Sequence, residues 1–112
     1  MNCLFCAIIN GEIPSTKIYE DSVCYAFLDI NPQSPVHFLV VPKIHLASLD
    51  EVTDENCEVV AHIMKTIPKT AKERGLTGGY RVITNIGENG CQSVKHLHFH
   101  VLGGKKLSEN MA

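Results

Sequence analysis

The stretch HLHFHVLGG, residues 96–104, alternates histidines with apolar residues. Because successive side chains of a β-strand point to opposite faces, this period predicts a strand. One face would carry the histidines and the other would pack into a core. The histidines are His96, His98 and His100, and the apolar residues are Leu97, Phe99 and Val101. Clustered imidazoles are costly to bury and repel one another when protonated, so the array indicates metal ligation or chemistry at an anionic group.

The composition of the whole chain bounds its class. A chain of 112 residues, 45% hydrophobic and 20% charged, can bury a core of its own, so we expect residues 1–112 to form a single domain. A net charge of −2, with no basic run longer than Lys105–Lys106, disfavours nucleic-acid binding. The sequence shows no signal peptide or membrane-length apolar run, and its five cysteines disfavour a disulfide framework. We expect a reduced cytoplasmic domain without nucleic-acid or membrane partners.

Segments on either side of the histidines predict an α+β fold with an antiparallel sheet of about five strands. Strands are predicted in KIYEDSVCYAFLDI, VHFLVVPK and GYRVITNIG, and a short helix in CLFCAIINGE, ending at Gly11. A main amphipathic helix is predicted from about Asp54 to Arg74, with Thr53 or Asp54 as its N-cap. Pro68 should kink or locally break that helix.

The loop ENGCQSVK, directly before the histidine stretch, adds polar groups near the array. Gly87 and Gly90 allow a tight turn, while Gln92, Ser93 and nearby backbone N–H groups are suited to holding phosphate oxygens. A loop of this composition is weak evidence by itself. Its position directly before the histidines makes the prediction of a phosphate site more specific.

Taken together, GCQSVKHLHFHVLGG contains the H-x-H-x-H-x-x pattern and resembles the histidine triad (HIT) family, in particular its Hint branch. The resemblance continues through LFCAIINGEIP, CYAFLDINPQSPVHFLVVPKIH and ITNIGENG, so it covers nearly the whole chain. It implies an α+β fold that forms a homodimer, with one sheet continuing across both subunits. It also implies a phosphoramidase that cleaves the P–N bond at the 5′-phosphate of a purine nucleotide.

The resemblance assigns the chemistry to individual residues. His98 would attack the α-phosphorus and form a nucleotidyl-histidine that water then cleaves. Its attacking ring nitrogen must carry no proton, so the other nitrogen should donate to a backbone carbonyl. His100 would contact the phosphate oxygens, and Ser93 and Asn85 match positions at the phosphate and leaving group. His37 matches a position beside the triad, where we expect an orienting role.

Matching positions also imply a nucleotide-binding set, in which Asp29 holds the ribose hydroxyls. The implied nucleotide-binding residues are Phe5, Ile8, Asp29, Ile30, Asn85, Ser93, Val94, His98 and His100. From the residues alone, the alternative for Asp29 is that it ends a strand. Phe5 and Ile8 are nearly as well explained as plain core residues.

Cys3 and Cys6 stand at C-x-x-C spacing, which is one half of a zinc site. Alone, this spacing is equally compatible with redox chemistry or with no function. Family members with the motif complete it with the histidine of VPKIH and the first triad histidine, which here are His45 and His96. The resemblance therefore implies a structural zinc held by four residues, with one triad histidine serving the metal.

Two departures from the Hint pattern bear on leaving-group selectivity. Cys91 replaces a usual glycine, and the tail KKLSENMA lacks the Trp-Pro-Pro ending that reaches the partner's pocket in relatives. Two alternatives stay open: dinucleoside polyphosphate hydrolysis, as in the Fhit-like branch, and a zinc-stabilised nucleotide-binding module with little turnover. HVLGG after the triad favours Hint, and the presence of His98 with Ser93 and Asn85 favours an enzyme.

Overall fold

The computed structural model describes residues 3–111 and contains the predicted antiparallel sheet of five strands. The elements in chain order are α1 (Leu4–Ile9), β1 (Lys17–Glu20), β2 (Cys24–Leu28), β3 (Val36–Pro42), a 3₁₀ turn (Leu49–Glu51), α2 (Cys57–Glu73), β4 (Tyr80–Ile83) and β5 (Phe99–Gly103). The strand order across the sheet is β1-β2-β3-β5-β4. The predicted α+β class, with one main and one short helix, is confirmed.

The central strands are apolar on both faces because each face is covered. On one face, α2 packs against alternate residues of the sheet, including Phe38 and Val40 of β3. On the other face, α1 packs against the intervening residues, including Leu39 and Val41. β1 and β4 form the two edges and are largely exposed. Within residues 3–111, neither helix has the length and apolarity that crossing a membrane requires.

The histidine strand is shorter than predicted, because β5 begins only at Phe99. Pairing between β3 and β5 ends where Val40 faces Phe99. Before that point, the Leu97 N–H donates to the Leu46 carbonyl, and the His98 carbonyl accepts from the Thr84 hydroxyl. The alternation nevertheless holds, since the apolar residues of this stretch are buried in the core beneath α2.

The main helix begins at Cys57, three residues later than predicted, and its N-cap is Asn56 rather than Thr53 or Asp54. The Asn56 side chain turns back to accept from the Thr53 N–H, which forms a separate turn before the helix. The expected break at Pro68 is absent, since α2 continues to Glu73. Pro68 lies on the exposed side of α2, where water can satisfy the carbonyl that its ring leaves without a donor.

Candidate functional site

A cavity of about 390 Å³ opens on the sheet face opposite α2. The strand register explains its floor, because Phe27 of β2 faces Leu39 of β3, which faces His100 of β5. Its apolar wall contains Leu4, Phe5, Ile8, Ile13, Pro14, Phe27, Leu28, Ile30, Leu39 and Val94, and its polar lining contains Ser15, Asp29, Asn31, Ser93, His98 and His100. Among the predicted catalytic and nucleotide-binding residues, all of which lie within residues 3–111, Asn85 alone does not line this cavity.

The backbone partner of His98 determines which tautomer its neutral ring adopts. Its Nδ1 lies 2.7 Å from the His96 carbonyl, which can only accept, so Nδ1 carries the proton and Nε2 does not. The side chain is buried, and this desolvation lowers its pKa below the usual value, which keeps the ring neutral at pH 7. The Phe5 ring packs edge-on against the imidazole, with ring centroids 5.0 Å apart. The hydrogen bond to a carbonyl expected from sequence is present.

A chain of hydrogen bonds orients His100. The Gln33 N–H donates to Nδ1 of His37, so the proton of this neutral ring is on Nε2. His37 Nε2 lies 2.9 Å from His100 Nδ1 and donates to it. His100 therefore presents an Nε2–H donor at the cavity that it lines.

The charge state of His100 follows from its surroundings. Burial, together with the neighbouring His98 and His37 rings, lowers its pKa to about 4, and the nearby Asp29 carboxylate only partly opposes this. Burial also lowers the pKa of His37. Both rings are therefore neutral near pH 7, and His100 acts there as a hydrogen-bond donor rather than a cation.

Asp29 lies immediately after β2, at the mouth of the cavity. One carboxylate oxygen accepts from the Asn31 N–H at 2.8 Å, and the other lies 3.4 Å from His37 Nε2. Ile30 follows at the rim and is 93% exposed. The carboxylate is thus oriented beside the cavity with hydrogen-bonding capacity left for a ligand.

The loop before β5 contradicts one expectation. Gln92 is buried, and its amide is used internally: Oε1 accepts from the Gly87 N–H, and Nε2 donates to the carbonyls of Ala47 and Val94. Gln92 therefore holds the loop together and is not free to bind phosphate. Ser93, in contrast, is exposed and lines the cavity.

Cys91 adopts a left-handed backbone conformation, with φ +60°. Glycine reaches this region without steric cost, so the glycine that the Hint resemblance implies at this position would adopt it without strain. The neighbouring Gly90 is required for a different reason, because a Cβ there would lie 2.4 Å from the Ile86 carbonyl oxygen. The departure at Cys91 is thus accommodated at the cost of local strain.

Four sulfur and nitrogen atoms converge beside α1. The potential ligand atoms of Cys3, Cys6, His45 and His96 all lie within 4.8 Å of one another. The His45 and His96 Nδ1 atoms are 3.1 Å apart, His96 Nδ1 lies 3.3 Å from the Cys3 sulfur and 3.5 Å from the Cys6 sulfur, and His45 Nδ1 lies 3.5 Å from the Cys6 sulfur. A tetrahedral zinc with bonds of 2.0–2.3 Å would separate such ligands by about 3.3–3.8 Å. The donor set and its spacing therefore fit zinc.

The protonation of His96 supports this fit. Its Nε2 lies 2.9 Å from the Pro42 carbonyl, so that nitrogen carries the proton and Nδ1 has a free lone pair. Nδ1 is the atom directed at the two cysteines and His45. A ligating histidine that donates its other N–H to a backbone carbonyl is the usual arrangement at zinc sites.

Helix α1 connects the four predicted metal ligands to the histidines that line the cavity. Its N-cap is Cys3, whose sulfur accepts from the Cys6 N–H. Between these cysteines, Phe5 contacts the rings of both His96 and His98, with centroids 5.9 and 5.0 Å away. The predicted metal ligands thus hold a helix whose aromatic side chain also packs against His98.

Sequence reasoning missed two hydrogen-bonded groups. Ser15 lines the cavity, and its Oγ lies 2.8 Å from the Tyr25 hydroxyl. On the opposite face, His62 bonds the Asp21 carboxylate at 2.7 Å. Local sequence patterns could not reveal either pair, because each joins residues from separate elements.

The HIT domain family matches residues 10–107 of the chain. A HIT family hydrolase from Clostridium thermocellum superposes with a TM-score of 0.96 at 44% identity, covering 99% of this chain and 97% of that one. A histidine triad protein from Clostridium difficile gives a TM-score of 0.95 at 54% identity, covering 98% and 96%. The 14 kDa zinc-binding protein of Zea mays is 44% identical over 107 residues, which span 94% of this chain and 84% of that protein.

Proposed function

The chain belongs to the HIT domain family, and on this basis we propose that it is a hydrolase of the Hint type, cleaving the P–N bond of purine nucleoside 5′-phosphoramidates. The observation that carries the proposal is the hydrogen bond from His98 Nδ1 to the His96 carbonyl. It leaves Nε2 unprotonated on a residue that lines a cavity with one apolar wall and several polar groups. A neutral histidine in this state is a competent nucleophile.

In the proposed first step, His98 Nε2 forms a bond to the α-phosphorus. The bond between phosphorus and the amine nitrogen breaks, and the amine leaves with the electron pair and takes up a proton. Phosphorylation at Nε2 makes the imidazole cationic, so its Nδ1–H bond to the His96 carbonyl becomes stronger. Water then attacks the phosphorus and releases a proton to the solvent. The bond from phosphorus to Nε2 breaks with its electron pair returning to the ring, which releases the nucleoside monophosphate and restores the neutral histidine.

The other cavity residues bind and orient the substrate. His100 donates its Nε2–H to a phosphate oxygen, and Ser93 lies where it can contact the phosphate or the leaving group. Asp29 accepts from the ribose hydroxyls at the cavity mouth. The purine lies against Phe5, Ile8, Ile30 and Val94. Asn85 does not line the cavity, and its assignment to a phosphate oxygen rests on the family resemblance alone.

Zinc is proposed as a structural ion held by Cys3, Cys6, His45 and His96. When bound, it would crosslink α1 to two distant parts of the chain. Four protein ligands complete a tetrahedral shell and leave no open position, so we assign no catalytic step to the metal. His96 thus serves the metal, while the remaining triad histidines serve the reaction.

We further propose a cytoplasmic homodimer formed by one HIT domain per chain, residues 1–112. Its interface would include the β4 edge, where Tyr80, Val82 and Ile83 are exposed, and Met64 on α2. Ile63 and Ile67 are buried within the subunit, so α2 offers less apolar surface to a partner than its sequence suggests. Pairing of two β4 edges would continue the sheet. A mass of one chain in light scattering at micromolar concentration would contradict this proposal.

The activity is tested by incubating the protein with adenosine 5′-phosphoramidate and, in parallel, with a diadenosine polyphosphate. We expect rapid release of AMP from the phosphoramidate and much slower cleavage of the polyphosphate. Preferential cleavage of the polyphosphate would instead support the Fhit-like alternative. Binding of AMP without turnover of either compound would support the nucleotide-binding module.

A further inference from the structure

A pair of hydroxyl groups interrupts the apolar part of the cavity wall. Ser15 lines the cavity, next to the apolar residues Ile13 and Pro14, and its Oγ lies 2.8 Å from the Tyr25 hydroxyl. Tyr25 is 7% exposed, and its ring packs against Phe27 at 5.8 Å. Tyr25 is therefore the buried support of the pair, and Ser15 is the member that a ligand can touch.

The strand register separates the Ser15–Tyr25 pair from His98 by the width of two strand spacings. Tyr25 on β2 faces Val41 on β3, and β3 in turn pairs with β5, which directly follows His98. Two strand spacings put about 10 Å of sheet between Tyr25 and the histidine end. The Leu28 N–H donates to the Thr16 carbonyl, so Ser15 lies beside the end of β2 that leads to Asp29. A purine whose ribose is held at Asp29 would therefore have Ser15 in the adjoining part of the cavity wall.

The hydrogen-bonding capacity of the pair is adaptable. A hydroxyl has one donor and two acceptor lone pairs, and the bond between Ser15 and Tyr25 runs in either direction. When Tyr25 donates, Ser15 keeps its own O–H for a ligand. When Ser15 donates, its lone pairs remain available. The first arrangement suits the C6 oxygen of guanine, and the second suits the C6 amino group of adenine.

From this geometry we infer that Ser15 is a specificity-determining residue that contacts the C6 substituent of the purine, with Tyr25 orienting its hydroxyl. The inference rests on the proposed nucleotide site and adds to it the recognition of the base. It explains how a largely apolar cavity would accept both adenine and guanine while still favouring bases with a polar C6 group. A purine with hydrogen at C6 would gain nothing from Ser15.

The test measures the binding of AMP, GMP and purine riboside 5′-monophosphate by calorimetry. In Ser15→Ala, the affinities for AMP and GMP should fall about 3- to 10-fold, as expected for the loss of one hydrogen bond, while that for purine riboside monophosphate stays unchanged. Thr16→Ala is the matched control, since it removes the adjacent exposed hydroxyl, and it should leave all three affinities unchanged.

Tyr25→Phe distinguishes the orienting role of Tyr25 from the direct contact that Ser15 makes with the base. It should weaken AMP and GMP binding less than Ser15→Ala does, and the double variant should be no weaker than Ser15→Ala alone. Equal losses for all three nucleotides, or no loss for any, would overturn the role of Ser15 while leaving the nucleotide site intact. Failure of the wild-type protein to bind any of the three would overturn the proposed function as well.

Discussion

The two faces of the sheet use similar polar residues in different ways. Beneath α2, the Asp21 carboxylate accepts hydrogen bonds from the Val23 and Cys24 N–H groups, the Tyr19 hydroxyl and His62. These groups satisfy one another and tie α2 to the β1–β2 hairpin. On the other face, short α1 covers only part of the sheet, and the polar groups line an open cavity.

The contrast shows that the surroundings of the second ring nitrogen decide what a histidine can do. His62 and His98 each have one hydrogen-bonded ring nitrogen, which lies against the Asp21 carboxylate in His62 and against the His96 carbonyl in His98. Of the two, His98 lines the cavity, where its other nitrogen is available to a ligand. We therefore expect the α2 face to determine stability and the cavity face to determine activity. Substitutions at four places in the molecule test this division, ordered from the largest expected effect to the smallest.

Replacing His98 by alanine should give the largest difference between the effect on activity and the effect on stability. Turnover of adenosine 5′-phosphoramidate should fall by at least about 10³-fold, since the nucleophile is lost. Melting temperature should change little, because the core beneath α2 is untouched. Mass spectrometry of quenched reactions should detect a nucleotide adduct in the wild type only. Turnover near the wild-type rate in His98→Ala would rule out this mechanism.

Removing the predicted metal ligands should affect both properties. Purified protein should contain about one zinc per chain by elemental analysis, and Cys3→Ser combined with Cys6→Ser should lose it. Because α1 would then be held less tightly, we expect the melting temperature to fall by about 10 °C, or about 2 kcal/mol. Turnover should also fall, through Phe5, but by less than in His98→Ala.

The exposed Cys57 supplies the control for this pair, since Cys57→Ser should retain both the metal and the melting temperature. Wild-type protein that stays free of metal after reconstitution with zinc would show that the four residues do not form a zinc site. An unchanged melting temperature after metal loss would show that the ion does not stabilise α1.

Replacing Asp21 by asparagine should destabilise the protein without changing its activity. Hydrogen bonds from His62, two backbone N–H groups and Tyr19 outweigh the effect of burial and hold the pKa of Asp21 far below its usual value. We expect a loss of about 1–3 kcal/mol at pH 7 in urea unfolding. Asp54→Asn, at an exposed position, should have little effect.

The stability difference between wild type and Asp21→Asn should depend on pH, because the pKa of Asp21 is lowered in the folded state. A carboxyl with a depressed pKa in the folded state stabilises the protein fully above its unfolded-state pKa of about 3.9. That stabilisation is lost as the pH falls below this value towards the folded-state pKa. The difference between wild type and Asp21→Asn should therefore shrink between pH 5 and pH 2. A constant difference would mean that the charge of Asp21 is not the cause.

The smallest effect is expected at Cys91. Cys91→Gly relieves the strain of the left-handed conformation but increases the entropy of the unfolded chain, so stability should change by less than about 1 kcal/mol. Cys91→Val should instead cost about 1–2 kcal/mol, since a β-branched residue fits this conformation poorly. Equal stability of the two variants in urea unfolding would contradict the view that the left-handed backbone conformation at position 91 limits which residue fits there.

The alternation in residues 96–101 was enough to predict which side chains enter the core and which share the histidine face. This succeeded because the two-residue period is a local property of an extended chain. The strand boundary was not predictable in the same way. It depends on the Leu97 N–H donating to the Leu46 carbonyl, a partner distant in the chain that residues around position 97 do not encode.

The start of α2 and the role of Gln92 show the same limit. A turn stabilised by the Asn56 side chain delays the helix. The Gln92 amide is occupied by the backbone of Gly87 and Val94 in its own loop and by the distant Ala47 carbonyl. Composition favoured an N-cap at Thr53 or Asp54 and a phosphate contact at Gln92. Both predictions were wrong because a side chain that can bond a ligand can also bond the backbone.

What the sequence by itself determined was the α+β class, the assignment of residues to the two faces and the resemblance to the HIT family, since these depend on local periodicity and on motifs. Only the tertiary structure decided the state of each imidazole: which nitrogen of His98 and His96 is free, and which nitrogen of His37 donates to His100. It also brought Ser15 to Tyr25 in the cavity wall. Protonation and hydrogen bonding depend on partners in space, and the fold brings these partners together from distant parts of the chain.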